Sequence, residues 1–267
     1  MVSEAVSQHP PDLELLPEWN PPTPPTDLIF DDGEPLESNR HRIAMNVLID
    51  SALTALADTP NSFVGGNMFV YYSRNQSMNK DFRGPDFFAV LDVDGTRERQ
   101  GWVTWEEDGR YPDVIIELMS PSTSKVDKGE KKRLYESTFR TAQYYIYDPF
   151  DPNSLAGWHL DGSQRYQPIA PNERGWLWCE TLGLWVGPWE GQLRREPPTG
   201  TCHWLRFYDR AFNVVSLQEE QAQQAQEQAQ QAQEQAQQAQ EQAQQERQRA
   251  DRLAARLREL GEDPEAP

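Results

Sequence analysis

The chain has 267 residues, and its 43 acidic against 25 basic side chains give a formal net charge of −18. This length suits one domain of ordinary size with appendages. The apolar runs are too short for a transmembrane helix, and the N-terminus lacks a basic and then apolar leader, so we expect a soluble cytoplasmic protein with no membrane partner. Two cysteines, Cys179 and Cys202, and four scattered histidines indicate neither a disulfide framework nor a zinc site.

The acidic excess lies at the two ends of the chain. Residues 1–37 carry nine acidic side chains and no lysine or arginine, and residues 218–267 carry eleven acidic and five basic ones. The middle, residues 38–217, holds 23 acidic and 20 basic side chains, a net charge of −3. A strongly acidic protein is a poor partner for nucleic acid, but a nearly neutral body is not excluded.

The pattern of the middle region predicts an α/β core with a mixed sheet. Residues 39–57 have apolar side chains at helical spacing, with Ser38 or Asn39 as the cap and Pro60 as the stop. The other predicted elements, in chain order, are strands at 63–72 and 86–93, a hairpin or loop at 94–111, a strand at 113–119, a helix at about 127–139, a strand at 143–148 and short strands to about 215. The order is therefore a helix, three strands, a helix, a strand and a β-rich extension.

The two ends predict appendages to a domain at 27–215. Residues 1–26 are rich in proline and acidic residues, which indicates an extended arm. From residue 216 the chain becomes a glutamine- and alanine-rich heptad repeat whose core positions run from Ala222 to Leu260. The repeat predicts a helix that pairs in a coiled coil and makes the protein a homo-oligomer. A single solvated helix or a disordered repeat remains the alternative, because an alanine seam buries little surface.

A carboxylate in a buried strand is the strongest chemical signal. Glu117 interrupts the apolar run Val114–Ile116, and a charge in such a strand is costly unless a positive group meets it. Four of the five lysines follow within eight residues, at positions 125, 128, 131 and 132. One of these lysines or a metal ion supplies the positive charge, unless Glu117 is a structural carboxylate paired with a buried arginine. The lysines themselves fit either phosphate binding or a solvated helix face.

Four segments resemble the Uma-two family of putative restriction endonucleases, which belongs to the PD-(D/E)XK nuclease superfamily. They are Arg-Gly-Pro-Asp-Phe-Phe-Ala-Val at 83–90, Tyr-Pro-Asp-Val-Ile-Ile-Glu-Leu-Met-Ser-Pro-Ser-Thr at 111–123, Asp-Lys-Gly-Glu-Lys-Lys-Arg-Leu-Tyr at 127–135 and Tyr-Tyr-Ile-Tyr-Asp-Pro at 144–149. The resemblance covers roughly residues 27–190. It implies a restriction-endonuclease-like mixed sheet flanked by helices and a magnesium-dependent endonuclease that hydrolyses DNA.

The resemblance also implies roles for individual residues. Asp86 and Glu117 match the family's acidic pair and would hold magnesium. The superfamily places a lysine two residues after the second acid, where this chain has Met119, so the lysine function moves to Lys131 or activity is compromised. We take Asp86, Glu117 and Lys131 as the catalytic set, with Lys125, Lys128 and Lys132 as DNA phosphate ligands.

Geometry argues against a second pairing of acids. Asp113 lies four residues from Glu117, ~13 Å away at ~3.3 Å per residue, so the two cannot share one ion. Asp113 is instead expected to bond the turn at the start of its strand, and Glu37 is either an outer ligand or a helix N-terminal charge. The competing function is a nuclease-like fold that cleaves nothing and acts as an oligomeric binding or scaffold protein.

Overall fold

The structure is a computed structural model that describes residues 28, 30, 38–73, 83–193 and 200–259. The predicted acidic arm, Glu37 and Leu260 lie outside the described residues. Helix α1 is Asn39–Ala55, helix α2 spans residues 124–139 and helix α3 is Gln218–Glu259. The strands are β1 Ser62–Gly65, β2 Val70–Tyr71, β3 Phe87–Leu91, β4 Trp102–Val103, β5 Val114–Leu118, β6 Gln143–Asp148, β7 Asp151–Leu160, β8 Tyr166–Pro168, β9 Leu177–Cys179, β10 Leu184–Gly191 and β11 Cys202–Tyr208.

Within the described residues the strands form a six-stranded mixed sheet in the order β1-β3-β5-β6-β7-β8, a three-stranded sheet β11-β10-β9 and a two-stranded pair β2-β4. Strands β3 and β5 are antiparallel with Phe87 opposite Ile116, while β5 and β6 are parallel. The parallel connection runs through α2, which therefore begins just after β5 ends. This topology brings the start of β3, the end of β5 and the first half of α2 together.

The large sheet separates two apolar layers. Val114, Ile116 and Leu118 of β5 pack with α1 and the three-stranded sheet on one face. Ile115 and Met119 lie in the other layer with aromatic residues of α2. Because side chains alternate along a strand, Glu117 belongs to the α2 layer.

Several predicted elements differ from the structure. The predicted strand at 63–72 is two strands, β1 and β2, because β2 leaves the large sheet to pair in parallel with β4. The predicted hairpin or loop at 94–111 contains β4 and the 3₁₀ turn Thr104–Glu106. Among the described residues, five strands rather than three therefore precede α2, which starts at Ser124 instead of about residue 127. The predicted cap of α1 is confirmed, since the Ser38 side chain accepts a hydrogen bond from the amide of His41.

Helix α3 contacts the domain near its beginning. Arg206 is fully buried, and its guanidinium donates to Glu220 at 2.9 Å and to the carbonyl of Val215 at 2.8 Å. Leu217 is also buried, whereas side chains 224–253 are all exposed. The 42-residue helix is about 63 Å long at ~1.5 Å per residue. Among the described residues, no helix is both long enough and apolar enough to cross a membrane.

Candidate active site

Glu117 lies at the centre of a buried polar cluster, and its side chain is 1% exposed. Its Oε2 accepts a hydrogen bond from Lys131 Nζ at 3.0 Å. Its Oε1 accepts one from the hydroxyl of Tyr135 at 2.7 Å. The positive group that the buried strand requires is thus Lys131, and the interpretation with a buried arginine is not the one seen here.

Lys131 is shared between two carboxylates. Its Nζ lies 2.9 Å from Asp127 Oδ1 as well as 3.0 Å from Glu117 Oε2, and its side chain is 18% exposed. Burial alone would lower the pKa of Lys131, but the charges of Glu117 and Asp127 outweigh burial and raise it. The two carboxylate contacts favour the ammonium form of Lys131.

Asp86 lies beside Glu117, as pairing of the two predicted strands requires. It directly precedes β3, and its Oδ2 accepts a hydrogen bond from the amide of Leu118 at 2.7 Å. Burial raises the pKa of Asp86, and the negative charge of Glu117 and a side-chain hydrogen bond with it raise the pKa further. Asp86 is only half-buried, so it is the member of the pair that solvent reaches.

Asp127 is a part of the cluster that the sequence analysis did not single out. Its side chain is 1% exposed, and burial followed by the charge of Glu117 raises its pKa, against the opposing effect of Lys131. The hydroxyl of Tyr144 on β6 donates to the backbone carbonyl of Asp127 at 3.0 Å, which ties the helix to the sheet. The four-residue spacing of Asp127, Lys131 and Tyr135 is the signal that was available in the sequence.

The alternation of π-helical and α-helical turns in α2 keeps the side chains of Asp127, Lys131 and Tyr135 directed toward the sheet. Segments Asp127–Lys131 and Tyr135–Phe139 are π-helical, separated by the α-helical turn Lys132–Leu134. Residues four apart are separated by slightly more than one α-helical turn, so in a regular α-helix each next side chain of the set would be rotated further around the helix. A π-helical turn contains more residues and rotates the side chain back. π-Helical turns inside helices occur frequently at functional sites.

The other three lysines of the predicted set do not reach Glu117. Lys125 and Lys128 are exposed near the beginning of α2. Lys132 lies with Nζ 4.0 Å from the ring centre of Trp158, and burial lowers its pKa against the opposing charge of Glu136. Of these four lysines, Lys131 alone faces the acidic pair.

Met119 occupies the strand position where the superfamily has its lysine. It is 3% exposed and packs in the apolar layer with Tyr135. Its carbonyl contacts Nε2 of the buried His41 at 3.1 Å, and Nδ1 of that ring lies 2.9 Å from Ser38 Oγ. His41 is thus a buried helix residue that fixes the end of β5, and the cation of the site comes from α2.

The carboxylate of Asp113 forms hydrogen bonds away from Glu117, as predicted. Its Oδ2 accepts from the amide of Leu91 at 2.8 Å and from Arg110 at 3.3 Å. Over the described residues, no group of three or more histidine, cysteine, aspartate or glutamate side chains is placed to hold a metal ion.

The arrangement can be compared with known proteins at this point. The model of the Uma2 family, described as "Putative restriction endonuclease", matches residues 11–194. The chain belongs to the Uma2 family. The match spans the large sheet, α2 and the acidic pair, and it ends before α3 begins.

Two further comparisons place this Uma2 member among known proteins. No curated protein matches the chain. A crystal structure of "a putative nuclease belonging to DUF820" from Anabaena variabilis ATCC 29413 is similar over 60% of this chain and 86% of that chain, with 14% sequence identity and a TM-score of 0.40.

Proposed function

We propose that this Uma2 protein is a magnesium-dependent endonuclease that hydrolyses phosphodiester bonds of DNA. One observation carries the proposal: Asp86, Glu117 and Lys131 come from three elements and meet in one cluster. Two carboxylates beside one ammonium are the groups that a hard cation and a phosphate need. The family description, putative restriction endonuclease, is consistent with nuclease chemistry.

The cluster suits magnesium because it holds more negative than positive charge. Asp86, Glu117 and Asp127 face one lysine; burial raises the pKa of both aspartates, and the charge of Glu117 raises them further. Magnesium accepts one or two carboxylates and completes its shell with water and phosphate oxygens. Asp86 and Glu117 would hold it, and when bound it lowers the pKa of a water molecule and neutralises phosphate charge.

The protein's own residues have distinct proposed roles. The Lys131 ammonium stabilises negative charge that develops on the phosphate, since its raised pKa keeps it protonated. Asp127 holds Lys131 in place, and the hydroxyl of Tyr135 orients Glu117. Lys125 and Lys128, exposed near the start of α2, would contact phosphates further along the DNA.

The second candidate function is a binding or scaffold protein that cleaves nothing. The observation in its favour is that Lys131 already neutralises part of the acidic cluster through two contacts of 2.9 and 3.0 Å. A cluster that satisfies its own charges this way needs no metal to persist. Magnesium binding and DNA cleavage separate the two functions.

Plasmid cleavage tests the proposal. The full-length protein should nick or linearise supercoiled plasmid with magnesium and not with EDTA, and Glu117→Gln should abolish this activity. Glu98→Gln removes an exposed acid and serves as the matched control that keeps activity. Cleavage that survives Glu117→Gln, or a folded wild type that cuts no DNA with magnesium, would refute the assignment.

A further inference from the structure

A second ion pair joins the segment before β3 to helix α2, two of the elements that contribute to the acidic cluster. Arg83 precedes Asp86 by three residues, and its guanidinium contacts Glu130 on α2 at 2.6 Å. Glu130 directly precedes Lys131 in α2. The pair therefore joins the segment that precedes Asp86 to the part of the helix that carries Lys131.

The two partners differ in how firmly they are held. The Arg83 side chain is 17% exposed, while that of Glu130 is 61% exposed. An ion pair with one largely exposed member contributes little to folding stability, since water screens it. The contact with Glu130 nonetheless holds the guanidinium of Arg83 near the acidic cluster. This guanidinium has a planar set of donors that matches phosphate oxygens.

We propose that Arg83 binds a backbone phosphate of the DNA beside the scissile one, and that it exchanges the Glu130 carboxylate for that phosphate. The inference rests on the proposed nuclease function and adds a specific substrate ligand to it. Lys125 and Lys128 are ordinary exposed lysines, whereas Arg83 is half-buried and oriented by a partner. Phosphate carries the same kind of oxygen acceptors as Glu130, so one guanidinium geometry serves both.

Charge gives Glu130 a role opposite to that of Arg83. The acids Asp86, Glu117, Asp127 and Glu130 face the cations Lys131 and Arg83, which leaves a net charge of −2 when all six are ionised. This excess opposes an incoming phosphate, and Glu130 also competes for Arg83. Removal of Glu130 should therefore strengthen DNA binding, and removal of Arg83 should weaken it. A purely structural ion pair would respond in the same direction to loss of either partner.

DNA binding by the full chain tests this asymmetry. Fluorescence anisotropy with a short labelled duplex would be measured in the Asp86→Asn background, where bound DNA is not cut. We expect Arg83→Gln to weaken binding about 10-fold and to lower the slope of log Kd against log salt by about 0.9, the value of one phosphate contact. Glu130→Gln should tighten binding about threefold, and this gain should vanish when combined with Arg83→Gln.

The exposed pair Arg97 and Glu106 provides matched controls. It is a 3.4 Å ion pair beyond the opposite end of β3, so Arg97→Gln and Glu106→Gln should change Kd by less than about twofold. Arg83→Lys keeps the charge without the planar fork and should weaken binding while preserving the salt slope. This variant covers the case in which Arg83→Gln does not fold.

The outcomes separate the inference from the function beneath it. If the parent binds DNA but the arginine variants leave both Kd and salt slope unchanged, Arg83 is not a phosphate ligand and the nuclease proposal stands. If Glu130→Gln tightens binding equally with and without Arg83, the effect is general charge repulsion and the exchange is wrong. If neither this parent nor the wild-type protein binds the duplex, both proposals are overturned.

Discussion

Replacement of Lys131 by methionine should destabilise the protein in a manner that depends on pH. The substitution removes contacts of 2.9 and 3.0 Å to two carboxylates that are each 1% exposed. Loss of one partner from a buried ion pair costs about 3–5 kcal/mol, because the other charge remains buried. Lys131 is itself 18% exposed, so we expect about 3 kcal/mol of lost unfolding free energy at pH 8.

The sign of the pH dependence follows from proton linkage. Without the ammonium, burial and the charge of Glu117 hold the folded-state pKa of Asp127 above that of the unfolded chain. A carboxyl of this kind stabilises the folded state below its unfolded pKa, and this stability is lost as pH rises through the folded pKa. The cost of Lys131→Met should therefore be smaller at pH 5 than at pH 8.

Urea unfolding followed by tryptophan fluorescence at the two pH values measures this difference. Lys132→Met is the matched control, since its Nζ lies over Trp158 at 4.0 Å and not beside a buried acid. Its loss should cost less than about 1 kcal/mol, with little change between pH 5 and pH 8. Equal costs for the two variants, or a pH-independent cost for Lys131→Met, would refute the assignment of Lys131 as the buried counter-ion.

Three further predictions concern the site and the tail. Asp86→Asn should abolish cleavage. It should also raise the melting temperature at pH 8 but not at pH 4, because ionised Asp86 destabilises the folded state. Its raised pKa costs up to about 1.4 kcal/mol of unfolding free energy for each pH unit between its unfolded and folded pKa values. Tyr135→Phe should lower turnover in plasmid assays and lower the unfolding free energy measured in urea by about 1.5–3 kcal/mol, because it removes a hydrogen bond to Glu117. Tyr166→Phe removes a hydrogen bond to the Thr141 carbonyl and should keep full turnover. Truncation after Gln223 retains the Glu220 contact and should preserve the melting temperature while lowering the number of subunits per particle found by light scattering. An unchanged number of subunits would show that α3 does not mediate assembly.

Much of the core could be predicted from local pattern. The apolar run 114–116 marks a buried strand, and Glu117 within it requires a cation, which the structure supplies as Lys131. The spacing of apolar residues predicted α1, and the glutamine and alanine repeat predicted a long helix that runs from Gln218 to Glu259. These signals work because one short segment contains the whole pattern.

The missed features depend on partners distant in sequence. Strand β2 pairs with β4, and two-residue strands carry too little alternation to be recognised. The four-residue spacing of Asp127, Lys131 and Tyr135 places them near one helix face, but the sequence does not show that this face meets Glu117. The ion pair between Arg83 and Glu130 spans 47 residues, and only the folded sheet brings its members together.

Magnesium titration by calorimetry tests the central claim most directly, namely that Asp86 and Glu117 form one metal site. Binding to the full-length protein, measured in buffers of different ionisation enthalpy, should release protons, because burial and the charge of Glu117 raise the pKa of Asp86. Asp86→Asn and Glu117→Gln should each abolish the binding heat, while Glu98→Gln should leave it unchanged. Absence of magnesium binding by the wild type, or binding that survives loss of either acid, would contradict the account.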